Sequence, residues 1–332
     1  MSNYSLRDKE ILYNWGDVYI LRNFMPFPLK ESNCYLAESD EGWTVIDTGV
    51  NIPLNRDIWT KALKEIGISF KHIKKIYLTH YHHDHLGLTG WLQHHCDCEV
   101  YLSSTDLNTF NTYIEGDNYF AYIKDACLKA GWSLDLIQKL AVDITEINPL
   151  IQPYPFLSAC PDDKPLSLGK YKLFPLPVPG HSDGHIVFYS YDDYLLLSGD
   201  NIVDHTILHL TDWPHTLLAN PLQVHIDALQ KLSALPITDV LPGHGKIFNE
   251  IKDKIELIIN HHDKRRELVL ANLTEPMNAW ELACKIFKDS DYIHIKRLVL
   301  AETLAYLNSL IDKKAVQADT SCTPYIYKNH QP

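Results

Sequence analysis

The chain is 332 residues long, 45% hydrophobic, with a formal net charge of −12. That is enough chain for one large domain plus a small one with a proper apolar core. No apolar run approaches the length of a membrane-spanning helix, and an acidic balance argues against a protein whose affinity depends on neutralising phosphates. Residues Met1 to Asp17 are polar and charged, without the apolar centre of a signal peptide. The seven cysteines, Cys34, Cys96, Cys98, Cys127, Cys160, Cys284 and Cys322, are odd in number and scattered. This pattern leads to the expectation of reduced thiols and a cytoplasmic location, not a disulfide framework. Cys96-Asp97-Cys98 has no second pair at zinc spacing and reads as structural.

In chain order, the first informative element is a strand over Trp43–Ile46 that ends in Asp47-Thr48-Gly49, a carboxylate followed by a tight turn. The apolar, β-branched run Ile73–Leu78 reads as a buried strand. It leads directly into Thr79-His80-Tyr81-His82-His83-Asp84-His85. His80 and His82 alternate on one side of an extended chain and can reach one metal. Asp84 and His85 fall where the chain turns into a helix and can hold a second; ligand types and spacing suit a zinc pair. Strand ends of α/β sheets are where such chemistry is usually placed.

After a strand at Glu99–Leu102 comes an insertion, roughly residues 104–164. Its helical patterns cover Asp106–Ile114, Tyr119–Ala130 and Leu134–Ala141, followed by a Pro-rich stretch from Pro149 to Pro165. It is aromatic (Phe110, Tyr113, Tyr119, Phe120, Tyr122, Trp132, Tyr154, Phe156) and carries four lysines against nine carboxylates, a net of −5. It can be a helical layer packed on the sheets, or a lid that gives the site an apolar, partly aromatic pocket. A strand over Lys172–Val178 precedes Pro179-Gly180-His181-Ser182-Asp183-Gly184-His185. The apolar Leu195–Leu197 ends in Ser198-Gly199-Asp200, and Leu241-Pro242-Gly243-His244 is a further strand end presenting a histidine. His205, His209, Trp213 and His215 follow Asp200 and can line a pocket.

From residue 251 a long helix (Lys254–Asn272), a short one (Ala279–Phe287) and a third (His294–Lys313) precede two strand-like pieces, Ala315–Ala318 and Pro324–Tyr327. Residues 250–332 hold twelve basic and twelve acidic side chains. A nucleic-acid module should be basic, so this tail is read as a packing or homodimerisation unit.

The five strand-end pieces at Asp47, His80–His85, His181, Asp200 and His244, in this order, resemble the metallo-β-lactamase-fold hydrolase superfamily over roughly residues 15–250. The three-helix-plus-hairpin tail resembles the winged helix of some relatives, among them an endoribonuclease branch; glyoxalase II is another similar branch. The resemblance implies an α/β fold, an αβ/βα four-layer sandwich (residues 1–250, with the insertion) followed by a winged-helix-like domain (251–332). It assigns His80, His82 and His181 to one metal and Asp84, His85 and His244 to a second, with Asp200 bridging. Asp47 and Thr79 orient ligands, His185 is structural, and Asp84 is the catalytic candidate that orients the nucleophile or relays its proton. The implied cofactors are two divalent ions, zinc with manganese or iron as alternatives. The implied chemistry is hydrolysis by a bridging hydroxide. Asp200 argues against a secreted β-lactamase. The acidic surroundings argue against a ribonuclease, and no convincing glutathione-binding segment is present. The expected substrate is a small-molecule thioester or activated ester with an apolar acyl group, a lactone being the nearest competitor. A phosphodiesterase, and a binding protein without turnover, stand as the readings from other classes.

Overall fold

A computed structural model describes residues 11–26, 29–114, 119–161, 164–210, 212–213 and 216–330. The first ten residues, His215 and the side chain of Tyr113 lie outside this set. Two sheets face each other. The first has seven strands: β1 (Leu12–Trp15), β2 (Val18–Phe24), β3 (Glu31–Ser39), β4 (Gly42–Ile46), β5 (Ile73–Tyr77), β6 (Glu99–Leu102) and the two-residue β7 (Ser158–Ala159). β1 to β4 pair antiparallel, and β4 to β7 are parallel. The second sheet holds β8 (Leu166–Leu168), β9 (Tyr171–Pro177), β10 (Ile186–Ser190), β11 (Leu195–Gly199) and β12 (Asp239–Pro242). Its order is β12-β11-β10-β9-β8, and only β11 and β12 are parallel.

Strand periodicity explains the layers. Tyr35 and Ala37 of β3 point into the space between the sheets while Cys34 and Leu36 point out. In β10, Ile186 and Phe188 point in and Val187 and Tyr189 out. Successive side chains alternate faces, so both sheets need cover on their outer sides. Helix α1 (Pro53–Ile66) buries Ile58, Trp59 and Leu63 on the first sheet. Pro53 starts it, and Gly67, at φ +89°, ends it with two bonds back to the last carbonyls. On the second sheet lie α7 (Pro221–Ser233), through Leu229 and Leu232, and the first half of α8 (Ile251–Asn272), through Ile251, Ile255 and Ile258. The result is helix, sheet, sheet, helix.

The short helices α2 (His83–Leu86) and α3 (Thr89–Gln93) follow β5. The insertion forms α4 (Ser104–Thr109), a π turn over Phe110–Ile114, α5 (Tyr119–Lys129) and α6 (Leu134–Ile147). α6 runs six residues past the predicted Ala141. Its β-branched Val142, Ile144, Thr145 and Ile147 disfavour a helix intrinsically, yet Ile144 and Ile147 continue the buried stripe begun by Ile137 and Leu140. The tail contains α9 (Ala279–Ile286), α10 (Ile293–Asp312) and a hairpin of β13 (Val316–Asp319) with β14 (Ile326–Asn329). The predicted order of three helices and two strands is observed. One apolar cluster joins Ile123, Trp132 and Leu140 of the insertion to Leu222 of α7 and to Val269, Leu282, Leu300 and Tyr327 of the tail. Insertion and tail therefore share a core.

Candidate metal centre

Five loops at the ends of β4, β5, β9, β11 and β12 converge. The strand–turn–helix at β5–α2 sets the first four groups. Its extended segment places His80 and His82 on one side, and the turn into α2 brings up Asp84 and His85. Gly243 lets β12 pass close: a Cβ there would lie 2.4 Å from Asp200 Oδ1 and 2.9 Å from His85 Cε1, so any larger residue would displace the site.

The seven predicted ligands all meet, in two groups: His80, His82 and His181, and Asp84, His85, Asp200 and His244. In the first, His82 Nδ1 lies 2.9 Å from His80 Nε2 and 3.0 Å from His181 Nε2. In the second, His244 Nε2 lies 3.2 Å from Asp84 Oδ2 and 3.3 Å from Asp200 Oδ1, and His85 Nε2 lies 3.1 Å from Asp200 Oδ1. Asp200 faces both groups, since its Oδ2 is 3.3 Å from His181 Nε2 and 4.0 Å from His80 Nε2.

The outer nitrogens of these rings fix the tautomers. Asp47 Oδ1 accepts from the Thr79 backbone N–H at 2.9 Å, and its Oδ2 accepts from Thr79 Oγ1 and His85 Nδ1, both at 2.8 Å. Thr79 Oγ1, with its own proton committed to Asp47, accepts from His80 Nδ1 at 3.0 Å. His181 Nδ1 donates to the His209 carbonyl and His244 Nδ1 to the Glu31 carbonyl, at 3.1 and 2.6 Å. Each of these rings therefore turns a lone pair on Nε2 toward the centre. His85 Nε2, His244 Nε2 and Asp200 Oδ1 are buried without any hydrogen-bond partner. Converging buried acceptors repel one another unless a proton or a cation sits among them, and the neighbouring carboxylates favour positive charge on His85 and His244. The donor set, imidazole and carboxylate, suits a borderline divalent ion. His185 is a support: its Nε2 accepts from the Asp200 backbone N–H at 3.1 Å, and its ring stacks on His80.

The electrostatics divide the same way. Burial works against charge on His244, but Asp200 and Asp84 outweigh it and hold its pKa up at about 10. Burial likewise opposes charge on His85, where Asp200, Asp84 and Asp47 prevail. On the other side, burial together with His85 and His82 pushes His80 well down. The carboxylate-rich half attracts positive charge, and burial keeps His80 and His82 neutral and ready to ligate.

A cavity of about 360 Å³ opens onto both groups. Met25 and Leu29, Tyr119 and Ile147 from the insertion, and Ile207, Leu208 and Trp213 give it largely apolar walls. Of the four residues expected after Asp200, His209 and Trp213 line it and His205 does not. The sequence does not signal the contribution of α10, whose first turns supply His294, Ile295, Arg297 and Leu298. Nor does it signal Glu302, buried on α10, which holds His209 Nδ1 at 2.6 Å. Among the described residues the Cys96–Cys98 pair joins no three-ligand group, and all seven cysteines are free.

Asp106 is a further residue that sequence reasoning misses. It lies three residues after the Ser103 cap of α4, so it reads as ordinary capping chemistry. Its carboxylate instead crosses to the His181 loop, accepting from Ser182 Oγ and the Gly184 N–H, both at 2.7 Å. Burial holds its pKa up at about 7 in spite of these donors. Asp106→Ala leaves those donors buried and unpaired, which should cost roughly 3 kcal/mol. It should also loosen the loop that carries His181. Urea unfolding and a metal titration check both effects; an unchanged midpoint together with unchanged metal affinity would contradict this role.

Residues 28–155 match the model of the metallo-beta-lactamase superfamily. The chain is similar to the probable metallo-hydrolase YqjP of Bacillus subtilis, 26% identical over 321 residues that cover 90% of this chain and 94% of the relative. It is 24% identical over 274 residues to the beta-lactamase-like protein 2 homolog of Caenorhabditis elegans, covering 80% and 74%. The crystal structure of a metallo-beta-lactamase family protein from Thermus thermophilus superposes with a TM-score of 0.82 at 27% identity, covering 95% of this chain and 99% of that one. The sandwich, the two facing ligand groups and these similarities define one class: the chain has the metallo-β-lactamase fold, matches that superfamily's model over residues 28–155, and carries His/Asp groups that fit a dinuclear metal site.

Proposed function

We propose that this protein is a dinuclear hydrolase acting on a thioester or other activated ester of a small, largely apolar acid. The observation that carries the reading is Asp200, whose two oxygens face two separate ligand groups across one cleft. His80, His82 and His181 would hold one ion and Asp84, His85 and His244 the other, with Asp200 within reach of both; zinc is the proposed metal. Two divalent ions held this way supply the acidity of water near neutral pH and charge to stabilise a developing oxyanion.

The chain's own residues do the rest. Asp84 lines the cavity and is the more exposed of the two carboxylates, so it orients the attacking water and takes up its proton. His82, His181 and Asp200 border the same cavity and fix where the reacting carbonyl sits. The apolar side of the cavity receives the acyl chain and excludes water. No residue set for a covalent intermediate is required. Among the described residues no helix is long and apolar enough to cross a membrane.

Thiol release from a ladder of acyl thioesters, with oxygen esters and lactones alongside, tests this with metal-replete and chelator-treated protein. Thioesters should turn over only when metal is present, with an optimum at chain lengths the cavity can hold. Metal-dependent turnover of lactones alone would move the substrate class; no metal-dependent turnover of any of them would end the proposal.

A further inference from the structure

The cavity wall also contains a cation, Arg297, that makes no ion pair among the described residues. Arg297 lies on the second turn of α10 and is only 7% exposed. One guanidinium nitrogen donates to Tyr119 Oη at 3.1 Å, another lies 3.3 Å from His294 Nδ1, and Cζ sits 5.6 Å from the centre of the Trp213 ring. Its Nε–H is buried without a partner. Among the described residues no carboxylate is within ion-pair distance of it. Asp143 senses its charge without pairing, and it does not line the cavity.

An arginine keeps its charge in any protein environment, and it presents five N–H donors of which two are used here. A buried cation left without a counter-charge is expensive. Its planar fork matches a carboxylate or phosphate bidentately. The neighbours are suited to that task. Tyr119 and His294 clamp the guanidinium, Trp213 supports its flat face, and the cavity it lines continues past His83 to Asp84 and Asp200.

The geometry points to Arg297 as an anion anchor, so that the substrate carries a carboxylate or phosphate group that docks at α10 while its ester carbonyl lies at the metal groups. This deepens the hydrolase reading and rests on it for the word substrate; the anion site itself stands on the cavity alone. The anion has two sources, a carboxylate at the far end of the acyl group or a phosphate on the leaving group, and the arms of the test separate them.

The test is binding, on the metal-replete full chain, of 3-phenylpropanoate, 2-phenylethylphosphonate and the neutral 3-phenylpropanamide. Calorimetry compares wild type with Arg297→Met, and arginine-selective ¹⁵Nε spectra follow Arg297 in the wild type. Both anions, or one of them, should bind wild type tenfold or more tighter than the amide (about tenfold being what a charge-assisted pair supplies). Arg297→Met should lose that preference while its weak affinity for the amide stays the same, and the Arg297 Nε resonance should shift with the anion and not with the amide. A carboxylate preference assigns the acyl end; a phosphonate preference assigns the leaving group. Arg297→Lys, which keeps the charge without the fork, should retain part of the preference, and the ¹⁵Nε spectra decide the matter even if Arg297→Met does not fold. An Arg297 resonance unmoved by either anion, or an Arg297→Met protein that keeps the full preference, overturns the anchor. Loss of thioester turnover alone leaves these binding results intact, so the two readings fail separately.

Discussion

Replacing Asp200 with alanine should lower kcat/KM for metal-dependent hydrolysis on the order of 10³-fold, and bound metal should fall from about two equivalents to about one or fewer. The size follows from position. Among the described residues, Asp200 is the single group with one oxygen toward His85 and His244, at 3.1 and 3.3 Å, and the other toward His181 at 3.3 Å. Without it each histidine cluster keeps its lone pairs but loses the shared negative charge that holds two cations close together. Charge stabilisation at such a site is worth several kcal/mol, hence the thousandfold loss. The backbone should stay in place, because the Asp200 N–H still bonds His185 Nε2 and Gly199 still closes the strand through its carbonyl to the Gly243 N–H. Elemental analysis beside steady-state kinetics checks it. A variant that retains both metals and most of its turnover would remove Asp200 from the bridging role.

The site is largely legible in the sequence because each ligand follows a strand. A short apolar run that ends in His, Asp or Gly-His states both an element and what it presents, and parallel strands at the centre of a sheet gather their ends on one edge. Arg297, Asp106 and Glu302 are not legible, for the opposite reason. Each sits on a helix, where 3.6-residue periodicity shows which face is buried but not what lies across from it. A tail of zero net charge hides Arg297 completely, since a count of charges says nothing about one unpaired cation. By sequence the tail is a packing or homodimerisation unit; α10 does pack, through Leu300, Ala305, Leu307 and Leu310, and its first turns also line the cavity. α6 shows the related limit: the predicted helix stops at Ala141, and tertiary burial of Ile144 and Ile147 carries it on to Ile147. The alternate faces of β3 and β10 obey strand periodicity, yet only the paired sheets decide which face meets which.

Asp47→Asn should weaken metal binding at the His85 group by roughly 10- to 100-fold, the usual cost of losing a partner that orients a ligand. The substitution is close to isosteric. Asp47 sits at φ +59°, a conformation asparagine also tolerates, so the backbone is not the variable. The conflict is in the hydrogens. Three donors, the Thr79 N–H, Thr79 Oγ1 and His85 Nδ1, converge on two acceptor oxygens. An amide offers one acceptor and one N–H₂, so either orientation sets N–H against a donor. The simplest relief is for His85 to move its proton to Nε2, and that nitrogen is the one aimed at Asp200 and Asp84. A protonated Nε2 cannot ligate, so the loss should fall on the Asp84–His85–His244 group and spare His80, His82 and His181. Competition with a calibrated chelator should then resolve one weakened ion and one nearly unchanged. Equal weakening of both would place Asp47 in general support of the strand end instead, and no weakening would show that the tautomer of His85 does not depend on it.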